Sequence, residues 1–272
     1  MKFISCLALL VCTVTTSVVY GASSNDALQL AKQLYDRPDG KDRASFGYMV
    51  LTEAGHKPRV RALYSYGKDK SYYDIWSLIR FTSPKDIEGT GLLTRDEKNT
   101  DSQQWVFLPA LKRVRKIASS RKGGRFVGSD LFYEDLQNRI YTKDNHKILG
   151  KEVINKLPTI ILESIPKNAR DSVYSKRLSW IHRPSLTALR IDYYQGGSQP
   201  IKRLIVNKLA KKQGYWTIME SVVKDLKSGH STMMRIKNIA YDQNLPDSLF
   251  TTQTLEDPAK EVAFRPSSIT KK

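Results

Sequence analysis

The chain has 272 residues, 40% hydrophobic and 26% charged, which is globular composition and long enough for one large domain or two small ones. Lysine and arginine outnumber aspartate and glutamate by 45 to 27, a formal charge of +18. In a cytosolic protein such an excess would suggest nucleic acid, but the first residues point to export and make that partner a poor match.

Lys2 is a short positive start, Phe3 to Val19 is uncharged and mostly apolar, and Gly21-Ala22-Ser23 is small. This is the pattern of a secretory signal peptide. Val19 and Gly21 suit the −3 and −1 positions, so cleavage is placed after Gly21, with Ser23 as the alternative. Retention as an uncleaved anchor is the rival reading; the run is short for a span and carries several Ser and Thr. Both cysteines, Cys6 and Cys12, fall inside the peptide, and Val11 is too bulky to precede a lipidation cysteine. The mature chain is therefore expected to be free of thiols, disulfides and cysteine metal sites, and to reside in the bacterial periplasm. Removing residues 1–21 takes away one lysine and leaves 44 basic against 27 acidic side chains, or +17. The polyanions left outside the cytosol are lipid head groups and lipopolysaccharide, and each cation near an anionic leaflet contributes about 1 kcal/mol. The alternative is that the charge only keeps a soluble protein in solution.

Asn25 to Tyr35 reads as a helix, capped by Asn25 or Asp26, with Ala27, Leu30, Ala31 and Leu34 on one face. Arg37-Pro38-Asp39-Gly40 stops it. Strands follow at Ser45–Thr52, Arg59–Tyr66, Tyr72–Phe81, Thr90–Thr94 and Gln103–Leu108. In the second of these, Val60, Ala62, Tyr64 and Tyr66 alternate with Arg59, Arg61, Leu63 and Ser65, as in a strand with one buried face. Beyond Pro109, the spacing of Leu111, Val114 and Ile117 fits a helix begun by proline. The other reading, which we adopt, is a hairpin turning at Pro109–Lys112 and returning through Val114 to Ala118. Ser129–Asn138 is predicted to be a short helix capped by Ser129, with acids in its first turns. Further strands are predicted at 147–154, 159–164, 175–182, 187–194, 201–209, 215–225 and 232–240, separated by Gly-containing turns. This spacing implies antiparallel pairing in a curved sheet or barrel, not βαβ units. Asp247–Leu255 supplies a last short element. Residues 22–257 are expected to form a single domain, and 258–272 a frayed, flexible tail.

No catalytic set stands out. The four histidines, 56, 146, 182 and 230, have no metal or metalloprotease spacing and read as structural or solvated. Ser119-Ser120-Arg121-Lys122 matches the Ser-x-x-Lys of acylases, with Ser129-Asp130 as an echo of a second motif, but the required helix and Gly-rich strand are missing. Gly89-Thr90-Gly91 lacks the third glycine and the βαβ context of a nucleotide loop. Glu134 and Asp135, adjacent on a predicted helix, would point apart. The expectation is a protein that is not an enzyme and carries no cofactor or metal.

The informative stretch is Asp101 to Asp135. An apolar strand, Trp105-Val106-Phe107-Leu108, runs into seven cations within fourteen residues, Lys112, Arg113, Arg115, Lys116, Arg121, Lys122 and Arg125. Phe126-Val127-Gly128-Ser129-Asp130 and Tyr133-Glu134-Asp135 follow. Gln104-Trp105-Val106-Phe107-Leu108-Pro109, the basic hairpin, Phe-x-Gly-Ser-Asp and Tyr-Glu-Asp together resemble the outer-membrane lipoprotein-sorting protein family, a LolA/LolB-like group. Weaker likeness covers Gly89–Leu93, Trp180–Tyr193 and Asn238–Leu255; Val127 stands where methionine is expected.

The resemblance implies an α+β fold: a strongly curved antiparallel half-barrel of about 10–12 strands, its concave face covered by a few short helices. It implies a carrier that holds acyl chains of a lipid or lipoprotein in an apolar cavity, between the inner membrane, with an RND-family exporter as partner, and the outer membrane. On this reading Tyr64, Tyr66, Trp76, Trp105, Phe107 and Phe132 contact acyl chains. Arg113, Arg115, Lys116, Arg121, Lys122 and Arg125 meet a head group, an anionic membrane surface or the exporter. Taken singly, such an aromatic residue is more often plain core, so the reading rests on the set. The chain is expected to act as a monomer. The competing readings are a periplasmic hydrolase acting on a lipid or glycan, and an envelope assembly factor with a filled core.

Overall fold

A computed structural model describes residues 24–98 and 100–266; the expected signal peptide, its cysteines and residues 267–272 lie outside the described residues. Helix α1 (Ser24–Tyr35) buries Ala27, Leu30 and Ala31, the apolar face read from the sequence. Burial of a leucine such as Leu30 contributes roughly 1.5–3 kcal/mol, enough to hold a three-turn helix that is marginal in isolation. The strands are Asp42–Thr52 (β1), Arg59–Asp69 (β2), Ile75–Ser83 (β3), Gly91–Asp96 (β4), Gln103–Leu108 (β5) and Arg113–Lys116 (β6). Asp144–Ile154 (β7), Leu157–Pro166 (β8), Lys176–His182 (β9), Thr187–Tyr194 (β10), Lys202–Lys212 (β11), Tyr215–Asp225 (β12) and Ser231–Tyr241 (β13) complete them. A short helix α2 (Thr252–Glu256) lies near the C-terminus.

Among the described residues, thirteen strands form one antiparallel sheet in the order β6-β5-β4-β3-β2-β1-β13-β12-β11-β10-β9-β8-β7. Two meanders, β1–β6 and β7–β13, are fused where β1 pairs with β13. At that seam a bulge falls at Phe46/Gly47, and a side chain on Gly47 would meet the Arg235 carbonyl oxygen at 2.2 Å. A glycine at a bulge lets the sheet bend sharply where its two halves join. The basic hairpin is present: Pro109–Leu111 make a 3-10 turn, Lys112 takes a left-handed conformation (φ 47), and β6 returns.

The edges of the sheet, β6 and β7, are consecutive in sequence, so residues 117–143 run from one edge to the other. They cross a single face, touching Phe81 of β3 through Phe126, Thr232 of β13 through Asp130 and Lys202 of β11 through Asp135. Helix α1 lies on that same face. Its Tyr35 ring meets Tyr72, in the β2–β3 turn, at 5.9 Å and Tyr141, beside β7, at 5.6 Å. The two halves of the sheet therefore curl toward one helix, and this face is the concave side of a half-barrel.

The convex face of β2–β6 is covered by residues 245–264. Tyr66, Leu78 and Leu93 pack there against Leu245, Leu249, Phe250 and Leu255. Strand β2 is consequently buried on both faces, with Arg61 and Leu63 inward and Tyr66 outward, where its alternation had predicted one.

Two expectations are corrected. Ser129 does not cap a helix: its hydroxyl donates to the Phe126 carbonyl at 2.7 Å and accepts from the Leu131 amide. A single 3-10 turn, Tyr133–Leu136, replaces the helix; Asp135 caps it by accepting from the Phe132 amide at 2.6 Å, and Glu134 is held by Ser172 and Val173 of the β8–β9 connection. Residues 258–264, expected within a frayed tail, are ordered. Pro258–Phe264 form a 3-10 helix whose Glu261 is fully buried against Arg80 of β3, at 3.1 Å. A tail of low hydrophobicity is held here by an ion pair 181 residues away in sequence, which no local pattern records.

Candidate functional site

The concave face is hollow beside the crossing segment. The larger cavity, about 490 Å³, lies between the end of α1, β2–β4 and residues 135–138. Its lining is polar, with Asp36, Asp39, Asp69, Asp96 and Asp135 opposed by Arg37 and Arg43. Asp69 is pushed up to about 6, first by desolvation and then by the charge of Asp39. Burial also raises Asp96, against hydrogen bonds from Ser102 and the Asn138 amide. A smaller cavity of about 230 Å³ adjoins it at Tyr35 and Asn138 and is the more apolar, with Ala31, Leu34, Leu162 and Ile191 in its walls. A third of about 210 Å³ shares Arg177 and Tyr193 with the second. These neighbouring half-open hollows, together the chamber, lie between the sheet and the segments that cross it, α1 and residues 134–141.

Part of that floor is a polar rung. His146 of β7 pairs with Ser164 of β8, Ser164 with Arg177 of β9, Arg177 with Tyr193 of β10, and Tyr193 with Lys202 of β11. The next rung inward, Leu162, Ser179, Ile191 and Leu204, is mostly apolar. Ser164 Oγ lies 2.9 Å from His146 Nδ1, and His146 Nε2 lies 2.7 Å from the Tyr141 carbonyl oxygen. Asp144 is buried between Arg139 and Arg177 and accepts from both. Lys202 is buried beneath Phe132, 3.9 Å from the ring, and donates to Asp135 and to the Tyr174 hydroxyl. Burial lowers its pKa, with Asp135 opposing, and burial raises Tyr174 and Tyr193.

The Ser-Asp and Tyr-Glu-Asp motifs are the bolts of this roof. Asp130 accepts from Arg125 at 2.6 Å and from Thr232 at 2.7 Å, and it contacts His230 Nδ1. Glu134 accepts from the Ser172 hydroxyl and the Val173 amide, while Asp135 takes Tyr174 and Lys202. Arg61 reaches the carbonyl of Val127, whose left-handed backbone (φ 46) is unusual for a branched residue.

The residues singled out from the sequence are divided by the fold. Tyr64, Tyr66, Trp76, Trp105 and Phe107 do not line the chamber. They sit on the convex face, packed with the C-terminal segment, because their strand positions have the opposite parity to Leu63, Phe81 and Val106. Trp76 is sandwiched between Arg95, at 4.5 Å, and Phe250. Phe132 alone among the six is on the concave side, stacked on Tyr174 at 6.0 Å. The cationic set splits as well. Arg113, Arg115, Lys116 and Arg121 are exposed, but Lys122 is buried and Arg125 is bound to Asp130 and Asp225. Periodicity could not have revealed the rung, since its five members come from five separate strands.

A crystal structure of a DUF1329 family protein from Desulfovibrio piger is 31% identical, covering 84% of this chain and 97% of that one, with a TM-score of 0.80. The chain belongs to the DUF1329 family. A domain from Vibrio parahaemolyticus described as outer-membrane lipoprotein-sorting is 25% identical over 86% of this chain and all of that one, with a TM-score of 0.81. A LolA superfamily protein from Nitrosomonas europaea shares the fold at 17% identity, covering 85% of this chain and 98% of that one, TM-score 0.65. A family model described as "Uncharacterized protein" matches residues 74–257. No curated protein matches. The half-barrel inferred for the family is thus the fold of this chain, with thirteen strands in place of the expected ten to twelve. Among the described residues no helix is long and apolar enough to cross a membrane, and no group of three metal-ligating side chains is found.

Proposed function

We propose that this protein is a periplasmic carrier that takes the acyl part of a lipid or lipoprotein into the concave chamber and moves it between the inner and outer membranes. The observation that carries the reading is the hollow itself. Adjoining hollows of about 490 and 230 Å³, both half open to solvent, lie on the concave face beside α1, where a ligand could enter without unfolding the sheet. The smaller, more apolar lobe takes acyl chain, and the larger, charged lobe takes the polar head. A filled assembly factor would have no use for either. The lipoprotein-sorting description of the Vibrio domain supports the cargo class. Arg113, Arg115, Lys116 and Arg121 face outward from the β6 edge and the start of the crossing segment, where they would meet an anionic leaflet or an acidic partner. The RND-family exporter as cargo source, and the monomeric state, are carried by the resemblance alone.

The test is uptake of a fluorescent fatty acid by the folded protein, with and without Leu34→Arg. Leu34 is a half-buried lining residue, so the new charge should reach water through the chamber while blocking the apolar lobe. Lost uptake with an intact fold is the expected result. Equal uptake by both proteins, or none by wild type, defeats the carrier reading.

A further inference from the structure

The chamber floor holds a pair of side chains that transport does not require. A carbonyl oxygen offers only lone pairs, so the contact from His146 Nε2 to Tyr141 O at 2.7 Å places the proton of the neutral ring on Nε2. Nδ1 is then left with a lone pair, and Ser164 is its hydrogen-bond donor at 2.9 Å. That is the arrangement of a serine beside a general base, with a third group fixing the tautomer of the base. Both side chains line the 230 Å³ lobe, together with Leu34, Leu162 and Ile191. Arg177, one strand further, is in the same lobe and has one guanidinium nitrogen on Asp144. Arg177 is also the residue directly opposite Ser164 on β9.

We propose that Ser164 and His146 form a nucleophile–base pair that hydrolyses a carboxylic ester whose acyl chain occupies the smaller lobe. In the first step Ser164 Oγ bonds to the ester carbonyl carbon and its proton passes to His146 Nδ1. The tetrahedral oxyanion is met by Arg177, the carbon–oxygen bond to the alcohol breaks, and the alcohol leaves with the proton from His146. In the second step water adds to the acyl-serine, giving one proton to His146. The Ser164 ester bond then breaks, Ser164 regains that proton, and the free acid departs. The charged and titratable groups around His146 are Asp144 on its own strand, Arg177 on β9, Tyr193 on β10, Arg139 and Tyr141 from the crossing segment, Lys167 after β8 and Tyr35 of α1. Burial holds the imidazole below its usual 6.5, against the Tyr141 carbonyl and Asp144, with Arg177 and Lys167 adding to the lowering. The base is therefore neutral at pH 7, and the acid limb of the rate should fall below pH 6.5.

The experiment uses the full mature chain, a fluorophosphonate probe and p-nitrophenyl esters of short and medium acyl chains. Peptide mass analysis should find the probe on Ser164, and labelling should fall when octanoate is present. Ser164→Ala and His146→Gln should each lower ester turnover by about 100-fold or more, and the double variant should lose little further. Should His146→Gln fail to fold, Ser164→Cys keeps the side-chain size and should show selective alkylation relative to a denatured control. No probe on Ser164 in folded wild type, or turnover unchanged in Ser164→Ala, overturns the assignment. This result is separable from the carrier reading: fatty-acid uptake by an unlabelled wild type would leave the carrier standing and remove the hydrolase.

Discussion

Arg80 and Glu261 are joined across the convex face with 1% and 0% of their side chains exposed. Arg80 also donates to the carbonyls of Gly89, Thr254 and Leu255 at 2.6, 2.9 and 2.8 Å, so one guanidinium ties both the β3–β4 turn and α2 to β3. Removing one partner of such a pair strands a buried charge and costs roughly 3–5 kcal/mol, while replacing both by apolar groups is often near neutral. Glu261→Ala should therefore lower the denaturant midpoint sharply, and Glu261→Leu with Arg80→Met should recover most of the loss. Equal loss in single and double variants would mean that Arg80 works through the backbone carbonyls instead. A second residue-scale prediction concerns pH. His146 in the fold binds its proton less tightly than the unfolded imidazole near 6.5, so its contribution to stability is present above that value and is lost as pH falls through it. In denaturant titrations at pH 7.5 and 5.5, His146→Gln should show a smaller drop than wild type.

At the scale of elements, the crossing segment and the C-terminal segment have little regular structure and are held by side chains. Asp135 binds Lys202 and Tyr174, and without it the buried ammonium has no carboxylate. Asp135→Ala should release this part of the roof before the sheet melts. Faster amide exchange confined to residues 126–137, with β12 and β13 still protected, is the expected result; uniform loss of protection would show that roof and sheet unfold together. On the other face, Tyr66 is a packed core residue, not a chamber wall, so Tyr66→Ala should cost roughly 3–5 kcal/mol and leave the affinity for fatty acid unchanged.

The whole molecule combines a basic exterior with an acid-lined chamber. The exposed cations of the β6 hairpin contribute little to folding. Reversing Arg113, Arg115, Lys116 and Arg121 to Glu should therefore leave the thermal midpoint nearly unchanged. It should weaken binding to anionic vesicles, and wild-type binding should itself fall as salt rises, since charges are screened within about 10 Å at 0.1 M. Unchanged vesicle binding would return the cluster to a solvated surface. Export is tested by intact mass: periplasmic protein should lack residues 1–21 with Cys6 and Cys12, and a full-length mass would count against it.

Strand after strand could be read from the sequence because alternation and glycine turns are local. Ser24–Tyr35, the Pro109–Lys112 turn and the meander from residue 144 to residue 241 all fall where their patterns place them. The resemblance to lipoprotein-sorting proteins was legible too, since it rests on contiguous motifs. Which way a side chain faces was another matter. A strand alternates between two faces, but its sequence does not say which is concave, and here both are covered. Trp105 and Phe107 thus went to the convex side while Val106 turned inward. The fate of the Ser-Asp and Tyr-Glu-Asp motifs depended on partners 38 to 102 residues away, which turned a predicted helix into a bolted crossing. The rung of His146, Ser164, Arg177, Tyr193 and Lys202 exists only through the register of four strand pairs. Local physics determined the elements; the register and curvature of the sheet decided which residues meet in the chamber.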